Sequence, residues 1–227
     1  MSKSLGNVID PLAIRDDIGV DALRYFLLRD MSFGEDSNFT SELANTRYDS
    51  DLANNFGNLI NRSVSMSRKN FGGCVPPLGS VGESELEIRR LFQDGVNNFK
   101  DSILNYKTHR ALEYVSELSS EVNRYIDKCK PWVLTKNLED RERLGTILYT
   151  SLDMTRILIG MLEPVMPKKM KEARKSIGLN GEKITFEELT PGLLEPGKEL
   201  PKPVPLFPRK TGVRSSKKAN DKLSKKL

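Results

Sequence analysis

The chain has 227 residues, enough to bury a core in one or two domains, and no run of about 18 apolar residues that could form a membrane-spanning helix. Hydrophobic residues make up 37% and charged residues 30%, and the opening Met1–Gly6 lacks the apolar stretch of a secretory signal. The net charge of +5 belongs to the C-terminus: residues 209–227 hold eight basic residues and one acid, leaving 28 basic against 30 acidic residues before them. A polyanion would therefore meet the body of the protein only through a local patch.

Residues 1–7 are small, polar and glycine-containing, and read as a mobile loop. Asp10-Pro11 predicts a helix start, with Asp10 as N-cap and Pro11 in the first turn, and Gly19 ends that helix. Ala22, Leu23, Phe26 and Leu27 form an apolar stripe at helical spacing, followed by a turn-rich connection through Gly34, Asp36 and Ser37. From Thr40 the chain reads as helical almost throughout. Thr40 precedes a first segment, and Asp49 or Ser50 caps a second that runs to about Asn70, before Phe71-Gly72-Gly73.

The next helices are expected over about 84–105, with Ile88, Phe92, Val96, Phe99 and Ile103 inward, and 108–130, with Leu112, Val115, Val122, Ile126 and Cys129 inward. Pro131 stops the latter, because its ring removes a donor and disfavours the α region at Lys130. A long apolar helix follows over about 139–162, and Pro164 and Pro167 bend the chain into a short basic helix ending near Gly178. Residues 191–208 contain six prolines and cannot form regular helix, and the lysine-rich end has no apolar periodicity and reads as disordered. No strand alternation is long enough for a sheet. The expected fold class is all-α, a bundle of about five helices with short loops.

Several runs carry a family resemblance. Met1-Ser2-Lys3-Ser4 followed by Leu5-Gly6-Asn7-Val8-Ile9-Asp10-Pro11 resembles the Lys-Met-Ser-Lys-Ser signature of class I aminoacyl-tRNA synthetases, minus its first lysine. Residues 23–29, 33–39 and 51–62, together with Lys130-Pro131-Trp132 and Glu163-Pro164-Val165-Met166-Pro167, resemble the methionyl-tRNA synthetases in particular. The resemblance covers about residues 1–178. It implies a division into 1–37, the signature loop and connecting helices from the end of a catalytic domain, and 38–180, an anticodon-binding helical bundle. A Pro-rich extension at 181–208 and a basic tail at 209–227 follow.

The resemblance implies a catalytic role for Lys3, with Ser2 and Ser4 as supporting donors of the ATP and pyrophosphate loop. The physics fits, since a lysine on a mobile loop can close on the charge that grows on departing pyrophosphate. It also implies anticodon binding by Asn54, Asn58, Arg62, Pro131 and Trp132. In a helix Asn54, Asn58 and Arg62 share one face, where amide and guanidinium groups could bond the edges of unstacked bases. Such a face is ordinarily just solvated, and a tryptophan at a helix break is ordinarily a core anchor; the resemblance turns both readings toward RNA.

ATP and magnesium are expected in the intact enzyme, with methionine tRNA as partner and a separate catalytic chain or domain supplying the nucleotide-binding core. This chain alone is expected to hold no cofactor and to be inactive. Cys74 and Cys129, far apart and without metal-ligand spacing, suit a reducing cytoplasm and give no zinc site. Neither a membrane nor DNA is an expected partner. The sole histidine, His109, reads as a surface or helix-start residue. The competing reading is a stand-alone tRNA-binding module or the smaller half of a split synthetase.

Overall fold

The computed structural model describes residues 10–37, 39–181 and 183–209. The signature residues Ser2, Lys3 and Ser4, and the tail from Lys210 onward, lie outside them.

Helix α1 (Pro11–Ile18) starts where Asp10 accepts a hydrogen bond from the Leu12 N–H and ends at Gly19, whose φ of 85° suits a residue without Cβ. Helix α2 (Val20–Asp30) buries Ala22, Tyr25 and Phe26. Its polar side chains tie down distant helix ends. Asp21 accepts a bond of 2.7 Å from the Lys169 N–H at the start of helix α9 (Pro167–Ser176). Arg24 donates to the carbonyls of Pro164 and Val165 just before it. A carboxylate at one terminus and a guanidinium on free carbonyls both satisfy groups that a helix leaves unpaired.

Thr40 caps helix α3 (Ser41–Arg47) by accepting from the Leu43 N–H. The expected break at Asp49 or Ser50 is absent. The chain continues from α3 through a π-helical stretch, Tyr48–Gly57, directly into helix α4 (Asn58–Asn70). Asp51 is instead buried and bonded within the fold: it accepts from the Tyr25 hydroxyl at 2.9 Å and from Ser50 at 2.8 Å, with the Arg47 guanidinium 3.4 Å away. A carboxylate held this way has no capping left to do. Gly57 permits the wide winding, because a Cβ there would lie 2.8 Å from the Leu52 carbonyl oxygen, one π turn back.

Helices α5 (Glu83–Leu104) and α6 (Thr108–Cys129) form an antiparallel hairpin, packed closely where Gly95 meets Leu118. Ile103, expected inward, is instead 42% exposed in the last turn of α5, where it borders an apolar cleft with Leu104 and Phe186. Helix α6 ends at Lys130, in the left-handed region (φ 46°, ψ 55°), and Pro131–Leu134 make one further turn, α7. Helix α8 (Arg141–Leu162) is buried along almost its whole length and forms the centre of the bundle. The Pro-rich segment after α9 has no helix but is tightly bound. Arg156 donates to the Glu188 carbonyl, Tyr149 to that of Leu194, and Asp153 accepts from the Gly192 and Leu194 N–H groups. Farther on, Val75 and Leu200 bond across to Lys198 and Gly73, and Phe207 packs against Phe56 and Tyr48. One continuous apolar core thus includes Ile14 and Phe26 at one end of the chain and Leu200 and Phe207 at the other.

Candidate nucleic-acid interface

An open groove of about 430 Å³ runs between the π stretch with α4 on one side and α6 on the other, and its lining is almost entirely polar. The first wall presents Asn54, Asn55, Asn58 and Arg62. The second presents Ser116, Ser120, Asn123 and Asp127, spaced four, three and four residues apart and so on one face of α6.

The walls are cross-linked by amides. Asn55 donates to the Ser116 carbonyl at 2.9 Å and to the Ser120 hydroxyl at 3.0 Å. The Asn123 amide donates back to Asn55 Oδ1 at 3.1 Å, while its Oδ1 accepts from Asn58 and from Arg62, each at 3.5 Å. The Arg62 guanidinium also donates to Asp127 at 2.7 Å. That ion pair is largely open to solvent on the Asp127 side, so it contributes little stability and is easily exchanged. Asn54 is exposed and lines the same groove.

Trp132 stands at the end of the groove. The left-handed Lys130 turns the chain out of α6, buried Pro131 anchors the corner, and the indole is left 45% exposed. The Arg62 guanidinium carbon lies 6.0 Å from the indole centroid, within cation–π range. An exposed indole here offers a flat apolar face beside a row of donors and acceptors, the combination that suits an unstacked base. Asn55, Ser116, Ser120 and Asn123 were not legible as site residues from the first wall alone, although the Ser-Ser-Asn-Asp stripe on α6 was a readable signal.

A second polar cluster holds the corner from behind. Glu85 of α5 is fully buried and receives two bonds from Arg143 of α8, one from the Tyr125 hydroxyl and one from the Gly82 N–H. Burial alone would raise its pKa, but the bonds from Arg143, Tyr125 and Gly82 outweigh that and hold it below the ordinary glutamate value. Burial, then the hydrogen bond to Glu85 and its charge, pushes the Tyr125 phenol upward. Arg143 also reaches the Cys129 sulfur, so the last turn of α6 is pinned one residue before the Lys130 corner.

Among the described residues no group of three or more His, Cys, Asp or Glu side chains could hold a metal, and no helix is long and apolar enough to cross a membrane.

Residues 1–64 match the family described as tRNA synthetases class I (M). Residues 75–219 match the family described as the anticodon binding domain of methionyl tRNA ligase. The chain belongs to the methionyl-tRNA synthetase family. It is 39% identical over 209 residues to methionine–tRNA ligase of Caldanaerobacter subterraneus subsp. tengcongensis, and 36% identical over 211 residues to that of Mycobacterium leprae. Each alignment covers 92% of this chain but only 33% and 39% of the relative, so the chain spans little more than a third of their length. The Mycobacterium tuberculosis methionyl-tRNA synthetase bound by methionyl-adenylate superposes with a TM-score of 0.86 at 35% identity, covering 92% of this chain and 41% of that one.

Proposed function

We propose that this chain is the anticodon-recognising part of a methionyl-tRNA synthetase. The observation that carries the reading is the exposed indole of Trp132 beside Arg62, at the end of a groove lined with asparagine amides. Trp132, anchored by Pro131, stacks on an anticodon base, while Asn58 and Arg62 bond base edges and Asn54 extends the strip. The test compares binding of methionine tRNA with binding of the same tRNA carrying an altered anticodon. Preference for the first is expected, and equal binding by the folded chain overturns the reading.

The segment ahead of α1 serves the chemistry. Lys3, flanked by Ser2 and Ser4, meets the charge that develops on pyrophosphate as ATP, with magnesium, forms methionyl-adenylate. The nucleotide-binding core comes from a catalytic domain or a partner chain, since the relatives are far longer than this chain. In a protein of the relatives' length, Lys3→Ala slows adenylate formation while methionine affinity changes little. Unaltered turnover with weakened methionine binding would assign Lys3 a different role.

A further inference from the structure

We propose that Asn123 on α6 is the positioning residue of the recognition strip, orienting Asn55, Asn58 and Arg62 through a single amide; this rests on the anticodon reading above. Its Nδ2 donates to the Asn55 carbonyl at 3.3 Å, to Asn55 Oδ1 at 3.1 Å and to the Ser119 carbonyl at 3.2 Å. Every one of those partners is an acceptor. The orientation of the amide is therefore fixed, because a flipped Asn123 would turn its oxygen toward three oxygens and its NH₂ toward two donors. With the amide fixed, Oδ1 faces α4 and collects Asn58 Nδ2 and Arg62 Nη1 together.

That shared acceptor has a consequence for the ligand. Asn58 points one amide N–H at Asn123, and its own Oδ1 has no hydrogen bond to another described residue. Arg62 is held by Asn123 and Asp127 with its guanidinium carbon 6.0 Å from the Trp132 ring centroid. The strip thus meets a base with an acceptor from Asn58 and donors from Arg62 in a set order. Without Asn123, Asn58 rotates freely and can offer either end of its amide. Arg62 then keeps only its bond to Asp127, a side chain 62% exposed, and loses the second point that sets its orientation.

A residue that only staples α6 to the π stretch would affect stability alone, and the experiment separates the two roles. The full 227-residue chain and its Asn123→Leu, Arg62→Ala and double variants are titrated with methionine tRNA and with the same tRNA altered at the anticodon. The unmodified chain must prefer methionine tRNA; if it does not, the anticodon reading fails, independently of Asn123. Given that preference, Asn123→Leu is expected to reduce the ratio of the two affinities about tenfold or more, as loss of hydrogen bonds to a charged group does. The double variant is expected to lose less than the product of the two single losses, because part of the effect of Asn123 runs through Arg62. A ratio kept within about twofold, or losses that simply multiply, overturns the proposal. If Asn123→Leu does not fold, Asn123→Ala, which likewise removes both the donor and the acceptor, decides by the same ratio, and an unchanged ratio there is equally fatal.

Discussion

Arg62 and Trp132, from opposite sides of the hairpin of α5 and α6 in sequence, meet with the guanidinium 6.0 Å from the indole centroid. The contact joins the middle of α4 to the first residue after Pro131, and it exists because Lys130 adopts a left-handed conformation that swings Trp132 back toward the groove. A base stacking on this indole arrives next to a cation already oriented on the same ring.

Trp132→Ala should therefore weaken binding of methionine tRNA by about 1–3 kcal/mol, and Trp132→Phe should retain part of that energy. Because Trp132 is the only tryptophan, its intrinsic fluorescence reports on this site alone and should change on titration with an anticodon stem-loop. An unchanged spectrum at saturating RNA would separate Trp132 from the interface.

Arg62 should govern selectivity more than affinity. Arg62→Lys keeps the charge but loses the planar fork that reaches Asn123 and Asp127 together. Affinity for methionine tRNA should fall modestly, while preference over an anticodon-altered tRNA should fall by about 1–3 kcal/mol. Equal losses for both tRNAs would mean that Arg62 meets only the phosphate backbone.

The helix periods, the Asp10 and Thr40 caps and the stop at Pro131 could be read in the sequence because each rests on local chemistry within one turn. The π stretch could not. Its winding depends on Gly57 leaving room for the Leu52 carbonyl oxygen and on Phe207, from far along the chain, lying 3.5 Å from the position a Gly57 Cβ would take. The same limit hid Asn55. Counting by α-helical turns selects Asn54, Asn58 and Arg62, but the wider winding brings Asn55 to α6, where it bonds Ser116 and Ser120. The Pro-rich segment was legible as non-helical, whereas its burial depends on carbonyls meeting Arg156 and Tyr149, which no local pattern announces.

Gly57→Ala tests the π stretch directly. The added Cβ must push against a backbone oxygen at 2.8 Å, which cannot rotate away as a side chain could. A loss of about 1–3 kcal/mol in unfolding free energy is expected from denaturant titration. Since the residues on either side of Gly57 carry the groove's amides, preference for methionine tRNA should decline with it. An alanine variant of full stability would show that the stretch tolerates α winding.

The buried Glu85 sets the acid response. Its pKa lies below the ordinary value in the folded chain, so the unfolded chain takes up the proton first as pH falls. The stability this carboxylate contributes is complete above the ordinary glutamate range and drains away as pH drops through it toward the folded value. Arg143→Met reverses the sign. Burial then dominates, Glu85 becomes a buried charge with only Tyr125 and the Gly82 N–H for partners, and its folded pKa rises above the unfolded one. At neutral pH the variant should be less stable by about 3 kcal/mol. That deficit should narrow toward pH about 4, because protonation relieves the variant while it costs the unmodified chain a favourable interaction. Urea unfolding of both proteins at the two pH values is the measurement. A deficit that is constant or widens in acid would show that the Arg143 contact contributes packing rather than charge.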